Sequence, residues 1–288
     1  MASKFLAAAA CSLLITEAAA RPQQPAAARL EDRMRDYIAR FEQDASALVA
    51  EEHYVQRLRV TRDWRPQGER VRQLRSDYVL VKPADSQAWL GYRDIFEVDG
   101  RAVRDREQRV VKVLSGTAPD SRERALALVE EGARFNLGPV RTTNVPTMPL
   151  QLLARAHAGR FTIRVPENWE RKETVELTFE ETARPTIVRT PEGVSVESRG
   201  SVTVRVADGA ILKATVRFDF PAPPSSALSQ VSGAGMTVTY GEVTDVTLPV
   251  PLRMSESVGA SSAGSSWSIA GTATYSKYRR FQTTTRIR

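Results

Sequence analysis

The side chains that could do acid–base or nucleophilic chemistry are few, and their spacing does not assemble a site. His53 and His157 are the only histidines. Neither belongs to HExxH or another spacing that turns several ligands toward one metal. His53 follows Glu51-Glu52; read as chemistry this is a carboxylate–imidazole cluster, and read plainly it is a solvated helix face. His157 is most simply a cation near a helix C-terminus. A serine nucleophile needs G-x-S-x-G between a strand and a helix. Gly259 to Gly264 reads GASSAG, has the wrong spacing and precedes no helix. Gly233-Ala234-Gly235 lacks the third glycine of a dinucleotide fingerprint and leads into a strand. The carboxylate pairs Glu51-Glu52, Glu130-Glu131 and Glu180-Glu181 are sequence neighbours, which rarely converge on one substrate, so they read as solvated charge. Trp64, Trp89, Trp169 and Trp267 are scattered and read as packing rather than a sugar platform. The expectation is no catalytic residue, no metal ligand and no cofactor. An enzyme would need a pocket with converging carboxylates of perturbed pKa.

Residues 1–20 read as a signal peptide. Lys4 supplies the positive start, Phe5 to Ile15 the apolar stretch, and Ala18-Ala19-Ala20 the small residues at the cleavage positions. The apolar stretch is too short to span a bilayer. The alternative is a short N-terminal helix that stays attached. Cys11, the only cysteine, lies in the apolar stretch. Its lipidation would leave Ser12-Leu13-Leu14-Ile15 as an exposed apolar start. After cleavage at Ala20 the chain has no disulfide and no thiolate. The chain is therefore expected to be exported, to a periplasm or beyond the cell. Net charge is +7, with 35 arginines against six lysines. Arginine forks suit phosphate anions, and a coding bias toward arginine explains the same count. No nucleic-acid-binding module is present.

The elements that would carry any site come in two kinds. Residues 21–28 look like a flexible spacer, and residues 29–288 like a single domain. From Leu30 to Arg59 the apolar residues Leu30, Met34, Tyr37, Ile38, Phe41, Ala45, Leu48 and Val49 fall at helical spacing. Further helices are expected over Asp120 to Phe135 and Pro149 to His157, with Thr147 as the N-cap of the latter. The rest alternates with a period of two. Strands are expected around Leu74 to Leu80, Leu90 to Val98, Phe161 to Val165, Val175 to Phe179, Val202 to Val206, Leu212 to Phe220, Trp267 to Tyr275 and Tyr278 to Ile287. Asp99-Gly100 and Asp208-Gly209 mark tight turns. Asp94 falls on the apolar parity of its strand, as a bulge or a buried acid beside an arginine. Residues 221–235 and 259–266 read as flexible loops, the second as a long hairpin tip. The count is about 9–11 strands and three helices. The fold class expected is α+β: one large, curled antiparallel sheet forming a half-barrel, covered by amphipathic helices.

Three stretches carry a resemblance: WLGYRDIFEVDGRAVRDREQR (89–109), ARFNLGPVRTTNVPTMPLQLL (133–153) and GTATYSKYRRFQ (271–282). They resemble a group of uncharacterised secreted bacterial proteins, a likeness that implies no activity. The layout, with the strand–turn–strand pair at 201–220, is similar to the lipoprotein-localisation carrier (LolA/LolB-like) superfamily. That resemblance implies an unclosed barrel wrapped over helices around an apolar cavity. The chain departs from it in length, in the mid-chain helix and in the long loops.

On this basis the chain is expected to be a non-enzymatic periplasmic or secreted binding or carrier protein for a lipid or other apolar ligand. The alternative is a structural or interaction module of the bacterial envelope with a solid core. Candidate ligand-binding residues are Tyr78, Leu80, Tyr92, Phe96, Phe179, Val204 and Phe218; each could equally be plain core. The partners expected are a lipid or acyl chain and an anionic membrane surface, with no nucleic acid. Oligomeric state is left open.

Overall fold

A computed structural model describes residues 26–45, 48–81, 90–104, 127, 129–139, 141–190, 192–221, 231–262 and 264–280. The leader and most of the proposed spacer lie outside these residues, as do most of the helix expected over 120–135 and the last strand beyond Arg280. Of that mid-chain helix, residues 129–133 are described and are helical.

One antiparallel sheet of eleven strands organises the chain. Helix α1 (Ala26–Ala45) comes first, followed by β1 (Leu48–Arg62), β2 (Arg65–Val81), β3 (Leu90–Val98) and β4 (Arg101–Ala102). A short helix α2 (Met148–Leu153) and a 3₁₀ turn, Arg155–His157, precede β5 (Phe161–Arg164). A second 3₁₀ turn, Trp169–Arg171, leads to β6 (Thr174–Glu181), β7 (Glu197–Arg205), β8 (Ile211–Asp219), β9 (Gly233–Val243), β10 (Val246–Ser262) and β11 (Ser265–Arg280). The spatial order is β4-β3-β2-β1-β11-β10-β9-β8-β7-β6-β5. The sheet does not close, and its edges are the two-residue β4 and the four-residue β5. Short edges leave little unpaired backbone to template aggregation. The expected α+β half-barrel class is what the structure shows.

The long helix ends earlier than its apolar spacing predicts. α1 stops at Ala45, and residues 48–62 form β1. The helical pattern misled because β1 places Glu52 and Gln56 among its buried positions, which hides the period of two. The β-branched residues Val49, Val55, Val60 and Thr61 favour the strand. Ala26–Ala28, read as spacer, are the first turn of α1. Likewise, residues 259–262 belong to β10 and 265–266 to β11, so the expected loop is a pair of strands with a turn at its tip. β11 is continuous where two strands were expected.

α1 buries Leu30, Met34, Tyr37, Ile38, Phe41 and Ala45 against the sheet, each at most 6% exposed. Their neighbours come from nearly every strand and from α2, in one continuous core. The two halves of the sheet both touch α1. Arg33 Nη1 donates to the Val206 carbonyl at 2.7 Å, and the Tyr37 hydroxyl donates to the Pro249 carbonyl at 2.9 Å. Gly209, at φ +77, brings the β7–β8 turn so close that a Cβ there would lie 2.3 Å from the backbone of Arg33. Only glycine meets both demands.

Candidate ligand site

The inward face of β1 reads Ala50, Glu52, Tyr54, Gln56 and Leu58, and this order divides the interior into zones. Ala50 lies near the C-terminal end of α1. Here Phe41 and Ala45 of α1, Leu48 and Ala50 of β1, Leu80 of β2, Val250 and Pro251 of β10 and Tyr278 of β11 line a cavity of about 20 Å³. The Tyr78 side chain and Thr147 complete its wall. The volume is about that of one water molecule, so this part of the interior is nearly filled.

Two residues further along β1 the interior becomes polar. Glu52 is fully buried and accepts from four donors. The Arg93 guanidinium grips both its oxygens, through Nε to Oε2 and through Nη2 to Oε1 at 2.8 Å. Ser76 Oγ donates at 2.7 Å and the Tyr275 hydroxyl at 2.9 Å. Arg93 also stacks over the Tyr54 ring, 4.9 Å from its centroid, and donates to the Asn144 carbonyl at 3.0 Å. The second buried pair lies next to it. Arg141 Nη2 donates to Glu256 Oε1 at 2.9 Å, and the Tyr54 hydroxyl donates to the same oxygen. Gln56 ties the network to the 133–147 segment: its Nε2 donates to Asn136 Oδ1 at 2.7 Å, and its Oε1 accepts from the Leu137 amide at 2.8 Å. Gly271 makes room for this cluster, since a Cβ there would lie 2.7 Å from Glu256 Cγ and 2.8 Å from the Tyr54 ring.

Burial raises the pKa of the Tyr54 and Tyr275 hydroxyls, and neighbouring Glu256 and Glu52 respectively raise them further. Tyr78 is raised mainly by burial too. These phenols therefore stay protonated, and those of Tyr54 and Tyr275 donate to Glu256 and Glu52. Each carboxylate here is matched by a guanidinium. The arrangement is that of a plug: it fastens the 133–147 segment across β1, β2, β3, β10 and β11. Among the described residues, no cluster of three or more His, Cys, Asp or Glu side chains has metal-site geometry.

The seven residues singled out in the sequence separate into three groups. Tyr78 and Leu80 line the small cavity. Phe179, Val204 and Phe218 are buried on the inner face of β6, β7 and β8, in the far half of the core. Tyr92 and Phe96 do not join them. β3 pairs with Arg93 opposite Tyr78 and Gly91 opposite Leu80, so Arg93 points inward, and Tyr92 lies on the opposite side of β3, where it is nonetheless buried. Phe96 sits beside a bulge and meets Arg75, whose guanidinium lies 5.3 Å from its ring centroid. The parity assigned to this strand is thereby corrected: the inward arginine reaches Glu52 across β2, and the aromatic residues take the other face. Asp94 shares their face, paired across from Asp77.

The carboxylate pairs are corrected as well. Glu52 and Glu181 are buried, while Glu51 and Glu180 face outward. Alternation along a strand puts each neighbour on the opposite side of the sheet. Glu51 meets Lys277 at 2.8 Å and Arg75 at 2.6 Å, and these hydrogen bonds hold its carboxyl below the usual range. His53 is exposed on β1, not on a helix. Thr147 does stand at the N-cap position of α2, but its hydroxyl pairs with Tyr78 at 2.8 Å and makes no cap bond. His157 ends a 3₁₀ turn, with Nδ1 2.9 Å from the Gln151 carbonyl. The three stretches that carry the sequence resemblance supply Arg93, Asn136, Arg141, Asn144, Thr147 and Tyr275, and so meet in the plug.

No family model matches this sequence. No curated protein matches it significantly either. Solved structures do. A LolA superfamily protein from Nitrosomonas europaea is 13% identical, with 90% of this chain and 94% of that one covered, at a TM-score of 0.33. A DUF1329 family protein from Desulfovibrio piger is 11% identical, with 89% and 94% covered, at a TM-score of 0.35. Lipovitellin, in a structure concerned with lipid–protein interactions, is 6% identical over 85% of this chain and 26% of that one, at 0.31.

Proposed function

We propose that this chain is a non-enzymatic carrier of the bacterial envelope that holds a lipid acyl chain, or another apolar guest, where α1 now packs. The observation that carries this reading is the apolar seam between Phe41 and Ala45 of α1 and Leu48, Ala50, Leu80 and Val250 of the sheet, with its residual 20 Å³ cavity. That space is too small for a methylene chain, so the guest must take the place of the helix. The energies are commensurate. Five large apolar side chains of α1, at roughly 2 kcal/mol each, contribute about 10 kcal/mol of burial. An acyl chain of about 16 carbons, at about 0.8 kcal/mol per methylene, contributes about 12 kcal/mol. Exchange of one for the other is close to neutral.

Export to a periplasm or beyond the cell is part of the same proposal. It rests on the leader-like residues 1–20. No described helix is long and apolar enough to cross a membrane.

A second reading is favoured by the same cavity volume: an envelope scaffold whose core is filled and stays so. Titration with a fluorescent fatty acid separates the two. The carrier reading expects saturable binding, weakened about tenfold or more, the equivalent of ~1.4 kcal/mol, by Leu80→Gln or by Val250→Gln on the sheet side of the seam. Absence of saturable binding, or equal binding by both variants, supports the scaffold.

A further inference from the structure

The β1–β2 and β10–β11 hairpins run side by side and end in adjacent tips, where the Trp64 amide donates to the Gly264 carbonyl at 2.9 Å. The tip of the first hairpin is built against its own stability. Its two turn residues, Asp63 and Trp64, have φ of +49 and +62. Aspartate tolerates the left-handed region, whereas a bulky aromatic side chain there is an outlier. Glycine or asparagine is the usual solution for such a turn. Trp64 is also 82% exposed, the largest exposure among the described large apolar side chains.

The charges around it are equally unfavourable in isolation. Arg62 and Arg65 are directly paired across the hairpin, and like charges in that position repel. Residues 57–70 contain five arginines against Asp63 and Glu69. Glu69 is shared by Arg57 at 3.2 Å and Arg59 at 2.7 Å, which leaves Arg62, Arg65 and Arg70 to give the tip its positive field. The neighbouring tip offers no compensation, because residues 258–269 carry no charged side chain.

We infer that this tip is a docking surface for an anionic lipid bilayer, with Trp64 seated at the headgroup level and Arg62, Arg65 and Arg70 against lipid phosphates. An exposed aromatic flanked by guanidinium groups matches the two requirements of that interface. Tryptophan partitions to the boundary between water and acyl chains, and each basic residue near an anionic surface adds attraction. Arginine forks pair bidentately with phosphate oxygens. The strain at Trp64 and the repulsion at Arg62 and Arg65 then have a function.

The test is co-sedimentation of the purified protein with vesicles of phosphatidylcholine alone and of phosphatidylcholine mixed with phosphatidylglycerol. The protein should partition onto the mixed vesicles and not the neutral ones, and added salt should weaken it. Trp64→Gly, and separately Arg62→Ser with Arg65→Ser, should each lower partition about fivefold or more. Trp64→Gly should also raise the melting temperature by relieving the turn, so lost partition cannot be blamed on unfolding. Leu80→Gln, at the seam and away from the tip, should partition like the parent, so failure of guest binding and failure of docking are distinguishable. Equal partition onto neutral and mixed vesicles overturns the inference. So does unchanged partition of the tip variants, or binding to a soluble polyanion such as heparin without binding to vesicles.

Discussion

Arg93 on β3 and Glu52 on β1 form a fully enclosed ion pair that reaches across the inner face of the intervening β2, with both carboxylate oxygens held by the guanidinium. A buried pair of this kind stabilises little relative to an apolar filling, yet breaking it exposes an uncompensated charge to a low dielectric. Glu52→Gln or Arg93→Met alone should therefore cost about 3–5 kcal/mol in unfolding free energy. The double replacement should cost clearly less than the two singles combined. A double-mutant cycle by chemical denaturation checks this, and additive losses would show that the pair is not coupled.

Tyr37, Tyr54, Tyr78, Tyr240, Tyr275 and Tyr278 all have pKa values raised above the ordinary phenol value, with burial as the main cause in each. A raised pKa means that the folded state holds its protons more tightly than the unfolded chain does. The stability this contributes is complete below the unfolded value, about pH 10, and falls as pH rises above it. Spectroscopic alkaline titration should show little tyrosinate at pH values just above 10, then a cooperative rise that coincides with loss of secondary structure. Smooth titration of most tyrosines in the folded protein would contradict the burial described.

The β7–β8 turn, which touches α1 through Gly209, is sensitive to acid. Asp208 is held below the usual carboxyl range by its hydrogen bonds from Arg205, at 2.8 and 3.0 Å, and the Ala210 amide adds to this. A depressed pKa contributes stability above the unfolded value and loses it as pH falls through the folded one. The melting temperature should hold near neutral pH and fall below about pH 4, and Asp208→Asn should flatten that dependence.

Gly209→Ala should act on the same contact from the other side. The added methyl meets α1 backbone at 2.3 Å, and the left-handed φ adds strain. A loss of about 1–3 kcal/mol is expected. If α1 is the element a guest displaces, the variant should also take up a fluorescent fatty acid faster than the parent. Unaltered uptake kinetics in a destabilised variant would separate α1 from guest entry.

The sheet was legible wherever strands alternate cleanly, as at Val175, Leu177 and Phe179, or where Asp99-Gly100 and Asp208-Gly209 announce a turn. It was hidden where inward positions are polar. Glu52, Gln56 and Glu256 occupy buried sites on β1 and β10, so hydropathy alone could not assign those strands a dry face. β9 and the end of β10 were obscured by their Gly, Ala and Ser content. The polar plug was out of reach for a related reason. Its members are far apart in the chain, and only register brings Arg93, Glu52 and Tyr275 together. The one usable signal lay in β1 itself, where Ala50, Glu52, Tyr54 and Gln56 recur at every second position.

The carrier reading stands or falls on an apolar guest that takes the place of α1 against the sheet. Native mass spectrometry of the protein isolated gently from a bacterial envelope fraction tests it most directly. A bound population heavier than the polypeptide by the mass of an acyl lipid is expected, reduced in Leu80→Gln. A single apo mass in repeated preparations, for the parent as for the variant, would contradict it.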